Sequence, residues 1–172
     1  PCDTLLLSVG LIPENELTRG TGIPMDPVTN GALVDEHRQT RVPGIFACGT
    51  VLQVHDLVDY VSDEAEIAGA GAASFVLGAL TGSRPLAAKA GSGVRYVLPQ
   101  TVHADGGEDV ALFLRVAAPF GKVRFTVRSG EQVLARLTCP RAVPGEMVRI
   151  NIPQAALAQA RTDLTVELEE LA

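Results

Sequence analysis

Apolar and polar positions alternate in two different ways along this chain, and the change falls near its middle. In the first half the apolar residues come in short unbroken runs. Leu5-Leu6-Leu7-Ser8-Val9 is continuous rather than alternating, which predicts a strand covered on both faces, ended by Gly10. Leu11-Ile12-Pro13-Glu14-Asn15-Glu16-Leu17 predicts a turn, because Pro13 fixes one dihedral and Asn15 suits tight geometry. A loop through Gly20, Gly22, Pro24 and Pro27 follows. Asn30-Gly31 ahead of Ala32-Leu33-Val34-Asp35 then predicts a small hairpin excursion from about Ile23 to Asp35. The run Ile45 to Cys48, with Gly49 and Thr50 behind it and a helix beyond, predicts a strand–loop–helix corner of the kind that faces a cofactor.

The helix is expected to start at Ser62 as N-cap, with Asp63, Glu64 and Glu66 in its first turn beside the positive end of the helix dipole. Ala65, Ala68, Gly69, Ala72 and Ala73 give it a face of very small side chains, suited to close approach by a sheet or cofactor. Gly78 or Gly82 ends it, and Arg84-Pro85 marks a break.

Leu86 to Gly93 is Ala/Gly/Ser-rich and reads as a linker. Beyond it the pattern becomes short alternating strands: Val94–Leu98, Val110–Val116, Lys122–Val127, Gln132–Thr138, Met147–Ile152 and Leu164–Leu168, with Ser129-Gly130 as a hairpin turn. Gln154 to Ala160 allows one or two helical turns. Strands at this spacing predict a small immunoglobulin-like β-sandwich. Arg115, Arg124, Arg128, Arg136 and Arg149 interleave with the apolar positions, either as an anion site or, more simply, as a solvated face with Glu131, Glu146, Glu167, Glu169 and Glu170 to pair with.

Composition narrows the function classes. Across 172 residues the formal net charge is −6, so no basic face is available for nucleic acid. Cys2, Cys48 and Cys139 are widely spaced, without a CxxC or a Cys/His cluster, which supports neither a disulfide framework nor a zinc site. Reduced thiols in a cytoplasmic protein are the expectation. Cys48 has a redox reading too, but inside an apolar strand core packing is the stronger one. The apolar stretch around Ile67 to Leu80 is too short and small-sided for a membrane span, and no signal peptide is visible. A buried-strand pattern directly after Pro1-Cys2-Asp3 leads us to expect a piece of a longer natural chain.

Two stretches carry a resemblance. Thr4-Leu5-Leu6-Leu7-Ser8-Val9-Gly10-Leu11-Ile12-Pro13-Glu14-Asn15 resembles the strand, Gly and Asn/Pro turn near the end of the FAD domain in two-dinucleotide-binding-domain flavoproteins, the pyridine nucleotide-disulfide oxidoreductase superfamily. Thr40-Arg41-Val42-Pro43-Gly44-Ile45-Phe46-Ala47-Cys48-Gly49-Thr50 is similar to that superfamily's later motif, which ends in Gly-Asp. The resemblance covers roughly residues 2–83 and does not reach the β-rich half.

It implies the C-terminal portion of a Rossmann-like FAD-binding domain at residues 1–85; with the linker at 86–93 and the β-sandwich at 94–172 read from the pattern above, the chain is expected to be mixed α/β. It also implies an FAD-dependent oxidoreductase, with NAD(P)H as a further partner, a small-molecule substrate, the missing N-terminal part of the same protein, and a homo-oligomer left open. The GxGxxG fingerprint that grips the FAD pyrophosphate is absent from the sequence, so this chain alone is expected to hold FAD poorly and to be inactive. Cofactor-facing positions implied by the resemblance are Gly10, Gly49, Thr50, Val61 and Ser62. Thr50 stands where the family has Asp, and a neutral hydroxyl makes a bond weaker by roughly a factor of two.

A helix N-terminus aimed at the flavin would stabilise the charge gained on reduction, while three acids in its first turn would repel a phosphate. His55 and Asp56 are the candidate catalytic pair, His55 as proton donor or substrate contact and Asp56 or Asp59 as its orienting partner. A hydrogen-bonded loop histidine is the competing reading. A non-catalytic module, in which the β-sandwich mediates oligomer or partner contact, is the alternative function.

Overall fold

A computed structural model describes residues 1–7 and 10–171. The β-rich half is built as its alternation requires. Strands β1 (Pro85–Ala90), β2 (Val94–Leu98), β3 (Thr101–His103), β4 (Val110–Val116), β5 (Val123–Ser129), β6 (Gln132–Cys139), β7 (Val148–Ile152) and β8 (Leu164–Glu170) form two sheets. One has the order β3-β1-β8-β5-β6 and the other β2-β4-β7. All pairings are antiparallel except β1 with β8.

Alternate residues of both sheets point into one core. Leu112, Leu114 and Val116 from β4 meet Val123, Phe125 and Val127 from β5, with Ile152, Leu164 and Val166. Each of these nine is fully shielded from water, so removing one leaves a cavity that rigid neighbours do not refill. The short helix α3 (Gln154–Leu157) closes one end through Leu157.

Residues 86–93, expected as a linker, contain most of β1 instead. Leu86 and Ala88 alternate inward and are buried, while Lys89 on the other side reaches Asp163 at 2.7 Å. Small side chains gave the segment a linker-like composition, yet parallel pairing with β8 supplies its backbone partners.

The first half is mostly loop. Helix α1 (Glu16–Gly20) spans the end of the expected turn and the start of the expected loop. The hairpin excursion is present in miniature, with bridges Met25 to Ala32 and Val34 to Thr40, and Asn30 takes the positive φ of 58° that its tight turn demands. The expected strand at 45–48 is an extended segment held by a single bridge, Gln39 to Phe46.

The expected strand Leu5–Val9 is corrected over its described part. Leu5, Leu6 and Leu7 are unpaired and 75%, 90% and 76% exposed, because no described strand lies beside them. Ser8 and Val9 lie outside the described residues.

Helix α2 (Val58–Val76) starts four residues before the expected cap at Ser62. Only Asp59 is acidic in its first turn, so, contrary to expectation, Asp63, Glu64 and Glu66 neither crowd the N-terminus nor exclude a phosphate there. Glu64, Ala68 and Gly71 share the buried face, at spacings that put them in line along the helix. Gly71 is required there, since a Cβ would lie 2.5 Å from the His37 carbonyl oxygen.

The halves are packed together. The Val34 carbonyl accepts the N–H groups of Gln100 and Thr101, Gln100 Oε1 accepts the Val34 N–H, and Leu98 completes a small core with Ile23, Ala32, Val34 and Leu52.

Candidate functional site

The corner after Cys48 is organised by a carboxylate that the helix delivers from inside. Gly49 opens a short 3-10 turn (Gly49–Val51) at φ 73°, a conformation glycine adopts without strain. Its N–H donates to Glu64 Oε2 at 2.8 Å. Glu64 is fully buried and accepts three further groups: Arg38 Nε at 3.1 Å, Gln53 Nε2 at 3.3 Å and His55 Nε2 at 2.9 Å. Burial, the largest influence, raises the Glu64 carboxyl. The hydrogen bond from His55, the Arg38 charge and the Gly49 amide outweigh it and hold the group below its ordinary value of 4.5. Glu64 is therefore an anion with its charge matched inside the fold.

Arg38 is likewise buried, at a positive φ of 66°, and its guanidinium lies 5.6 Å from the Phe113 ring centroid. Arg149 approaches the same ring at 5.6 Å. Tyr96 donates its hydroxyl to Gln53 Oε1 at 3.3 Å. The corner is thus walled by strands of the β unit as well as by α2.

His55 and Asp56 are adjacent in sequence but face apart. The His55 side chain is 1% exposed and points to Glu64, which replaces Asp56 and Asp59 as its partner. An ionised carboxylate only accepts, so Nε2 carries the proton, and in the neutral ring Nδ1 is left as an acceptor. Nδ1 is buried with no partner among the described residues. Asp56 instead takes the Arg115 guanidinium on one oxygen and the Met147 N–H on the other. A consecutive pair in a loop cannot easily converge when each side chain has a strong partner on an opposite side.

Of the positions expected to face a cofactor, Gly49, Thr50 and Val61 gather at this corner: a Cβ on Gly49 would lie 3.5 Å from Val61 Cγ1. Thr50 is half-buried in the 3-10 turn, and its hydroxyl makes no hydrogen bond among the described residues. Ser62 is exposed on α2 and spends its hydroxyl on the Val58 carbonyl at 3.3 Å, as a residue inside a helix does. Gly10 is exposed at φ 77°, away from described partners. The N-terminus of α2 has Leu57 as N-cap, with no side-chain bond to the free amides of the first turn.

Glu64, Arg38, Gln53, Tyr96 and Arg115 belong to the site and were not expected in it. The spacing of Glu64 with Ala68 and Gly71 on one helical face was the available signal for Glu64. The others come from distant segments, which no local pattern joins.

A second group lies at the seam between the halves. His103 Nδ1 sits 3.0 and 3.1 Å from the two oxygens of Glu36, and Asp35 brings a third potential ligand atom within 4.8 Å. The hydrogen bond to Glu36 raises the His103 imidazole above 6.5, and burial raises Asp35 above 3.8. A cavity of about 260 Å³ adjoins them, lined by Arg38, Gly71, His103 and Arg149 among others. Cys48, by contrast, is no activated thiol: burial and then Glu64 push it above 9.0.

Residues 1–73 match the family model described as pyridine nucleotide-disulphide oxidoreductase. Among curated proteins, putidaredoxin reductase CamA of Pseudomonas putida is 38% identical over 55 residues, which is 32% of this chain and 12% of that protein. The chain therefore corresponds to a small part of that relative's length. No solved structure matches. Among the described residues, no helix is long and apolar enough to cross a membrane.

Proposed function

We propose that this chain supplies the flavin-facing corner of an FAD-dependent oxidoreductase. The observation that carries the reading is the uncapped N-terminus of α2 directly behind the Gly49–Thr50 turn, in the segment that matches the family. Its first-turn amides and the Thr50 hydroxyl suit an acceptor-rich group, and His55 Nδ1 is a buried polar atom without a partner among the described residues. FAD bound here would supply hydride or electron transfer, with NAD(P)H as the donor or acceptor we favour.

This chain's own residues do the holding. The α2 N-terminus would offer positive potential to the flavin, Thr50 would supply a hydroxyl to it, and Glu64 keeps the His55 proton on Nε2 so that Nδ1 can accept one. Cys48 takes no part.

The exposed Leu5–Leu7, Leu11 and Ile12 support a parent protein whose remaining FAD-domain strands cover them. The pyrophosphate grip belongs to that remainder, and we expect the present chain to be inactive alone. We read residues 94–172, with strand β1 added, as an immunoglobulin-like sandwich attached to it. Purification of the full-length protein tests the proposal. Visible flavin absorbance, lost on acid release of FAD and restored by adding it back, is the expected result. A flavin-free protein that FAD does not reconstitute would leave a non-catalytic interaction module as the function.

A further inference from the structure

We propose that Arg115 is a positioning residue, through which the β unit fixes the loop that carries His55. The effect on a cofactor rests on the flavin reading above, whereas the geometry stands by itself.

Arg115 lies on β4 opposite Tyr96 of β2, with its side chain 14% exposed. Its Nη2 donates to the Val54 carbonyl at 3.0 Å and to the Asp56 carboxylate, and its Nη1 donates to the Pro144 carbonyl at 3.1 Å. The second Asp56 oxygen accepts the Met147 N–H. Tyr96 meanwhile holds Gln53. Residues 53, 54 and 56 are thus each tied to the β unit, and the ties bracket His55 on both sides.

His55 turns inward, to Glu64 on α2, which Gln53 also reaches. Its ring direction is set from α2 and from the β unit, and among the described residues Arg115 is the one side chain that grips the loop both before and after it. A planar guanidinium satisfies several acceptors in fixed directions, which a lysine ammonium does not. An ion pair serving stability alone would need only the carboxylate. Engagement of the Val54 carbonyl fixes the backbone that leads into His55.

The experiment uses the full-length protein with its flavin, carrying Arg115→Ala, Arg115→Lys, Asp56→Asn and the Arg115→Ala/Asp56→Asn double variant. Two quantities are read in each: the ¹⁵N signals of the His55 ring and the midpoint potential of the flavin. Arg115→Ala and Asp56→Asn are expected to move both in the same direction, with the double variant no further displaced than the larger single one. Arg115→Lys is expected to recover less than half of the displacement.

His55 signals that stay at their wild-type positions in the folded Arg115→Ala or Asp56→Asn protein would overturn the proposal, as would additive displacements. If Arg115→Ala fails to fold, Arg115→Lys and Asp56→Asn decide by the same criterion. If the protein carries no flavin, the flavin reading fails through the second readout. The His55 signals still decide the role of Arg115.

Discussion

The two halves of this molecule hold themselves together by different means. The β unit surrounds a continuous apolar core in which Leu112, Leu114, Phe125, Val127 and Val166 are fully shielded from water. The first half has an apolar cluster of five buried residues, one of them Leu98 from the β unit, and leaves Leu5, Leu6, Leu7, Ile12, Leu17, Val76 and Leu77 largely exposed. What orders its inner corner is a charge network on Glu64. A region with little apolar area to bury depends on each polar contact being complete, because a buried charge without its partner costs more than a lost van der Waals contact.

The largest expected effect tests that dependence. Glu64→Ala strands the Arg38 guanidinium and frees the Gly49 amide, and should lower unfolding free energy by about 3–5 kcal/mol, read from urea denaturation. Glu64→Gln should recover part of it. A loss no greater than that of a surface substitution would show that the network does not hold the corner.

Leu114→Ala probes the other half, with an expected cost of roughly 2–5 kcal/mol from lost transfer and cavity terms. Limited proteolysis sharpens the comparison: Glu64→Ala should expose the first half to cleavage before the β unit, and Leu114→Ala should open the β unit.

Gly71→Ala tests the close approach of α2 to the His37 backbone. The added Cβ would meet the His37 oxygen at 2.5 Å, so about 1–3 kcal/mol of overpacking should outweigh the better helix propensity of alanine. A stabilised protein would contradict this packing.

The smallest effect is a pH dependence at the seam. The hydrogen bond to Glu36, ahead of the opposing effect of burial, raises His103 above 6.5 in the folded state. Its contribution is complete below 6.5, where the imidazolium is present in both states, and is lost as pH rises through the folded value. The melting temperature should therefore fall slightly over that interval, and His103→Gln should flatten the change. Glu64 acts in the opposite sense, since its lowered value gives stability that is lost as pH drops below 4.5.

Much of the β unit was legible in the sequence. Val94–Leu98 and Val110–Val116 have the expected bounds, and β5 through β8 differ only at their ends. Period-two alternation is a local signal, and it survives wherever one face of a strand meets a core. Strand β1 was missed because Ala87, Ala88 and Ala90 pack closely without the branched side chains that usually mark a strand. The start of α2 was displaced because the helix begins at Val58, with Leu57 as N-cap and without the polar cap that Ser62 resembled.

By itself the sequence determined most of the strand pattern of the β unit, the Gly49–Thr50 corner and the resemblance of its first segment to a known family, since each depends on residues close together in the chain. Tertiary structure decided which groups meet there. Glu64 reaches back to Arg38, Gly49, Gln53 and His55 because α2 folds over the corner. Arg115 reaches Val54 and Asp56 only because β4 packs beside it. Charges separated by tens of residues have no preferred partner until the backbone places them within a few ångströms in a medium that screens them weakly.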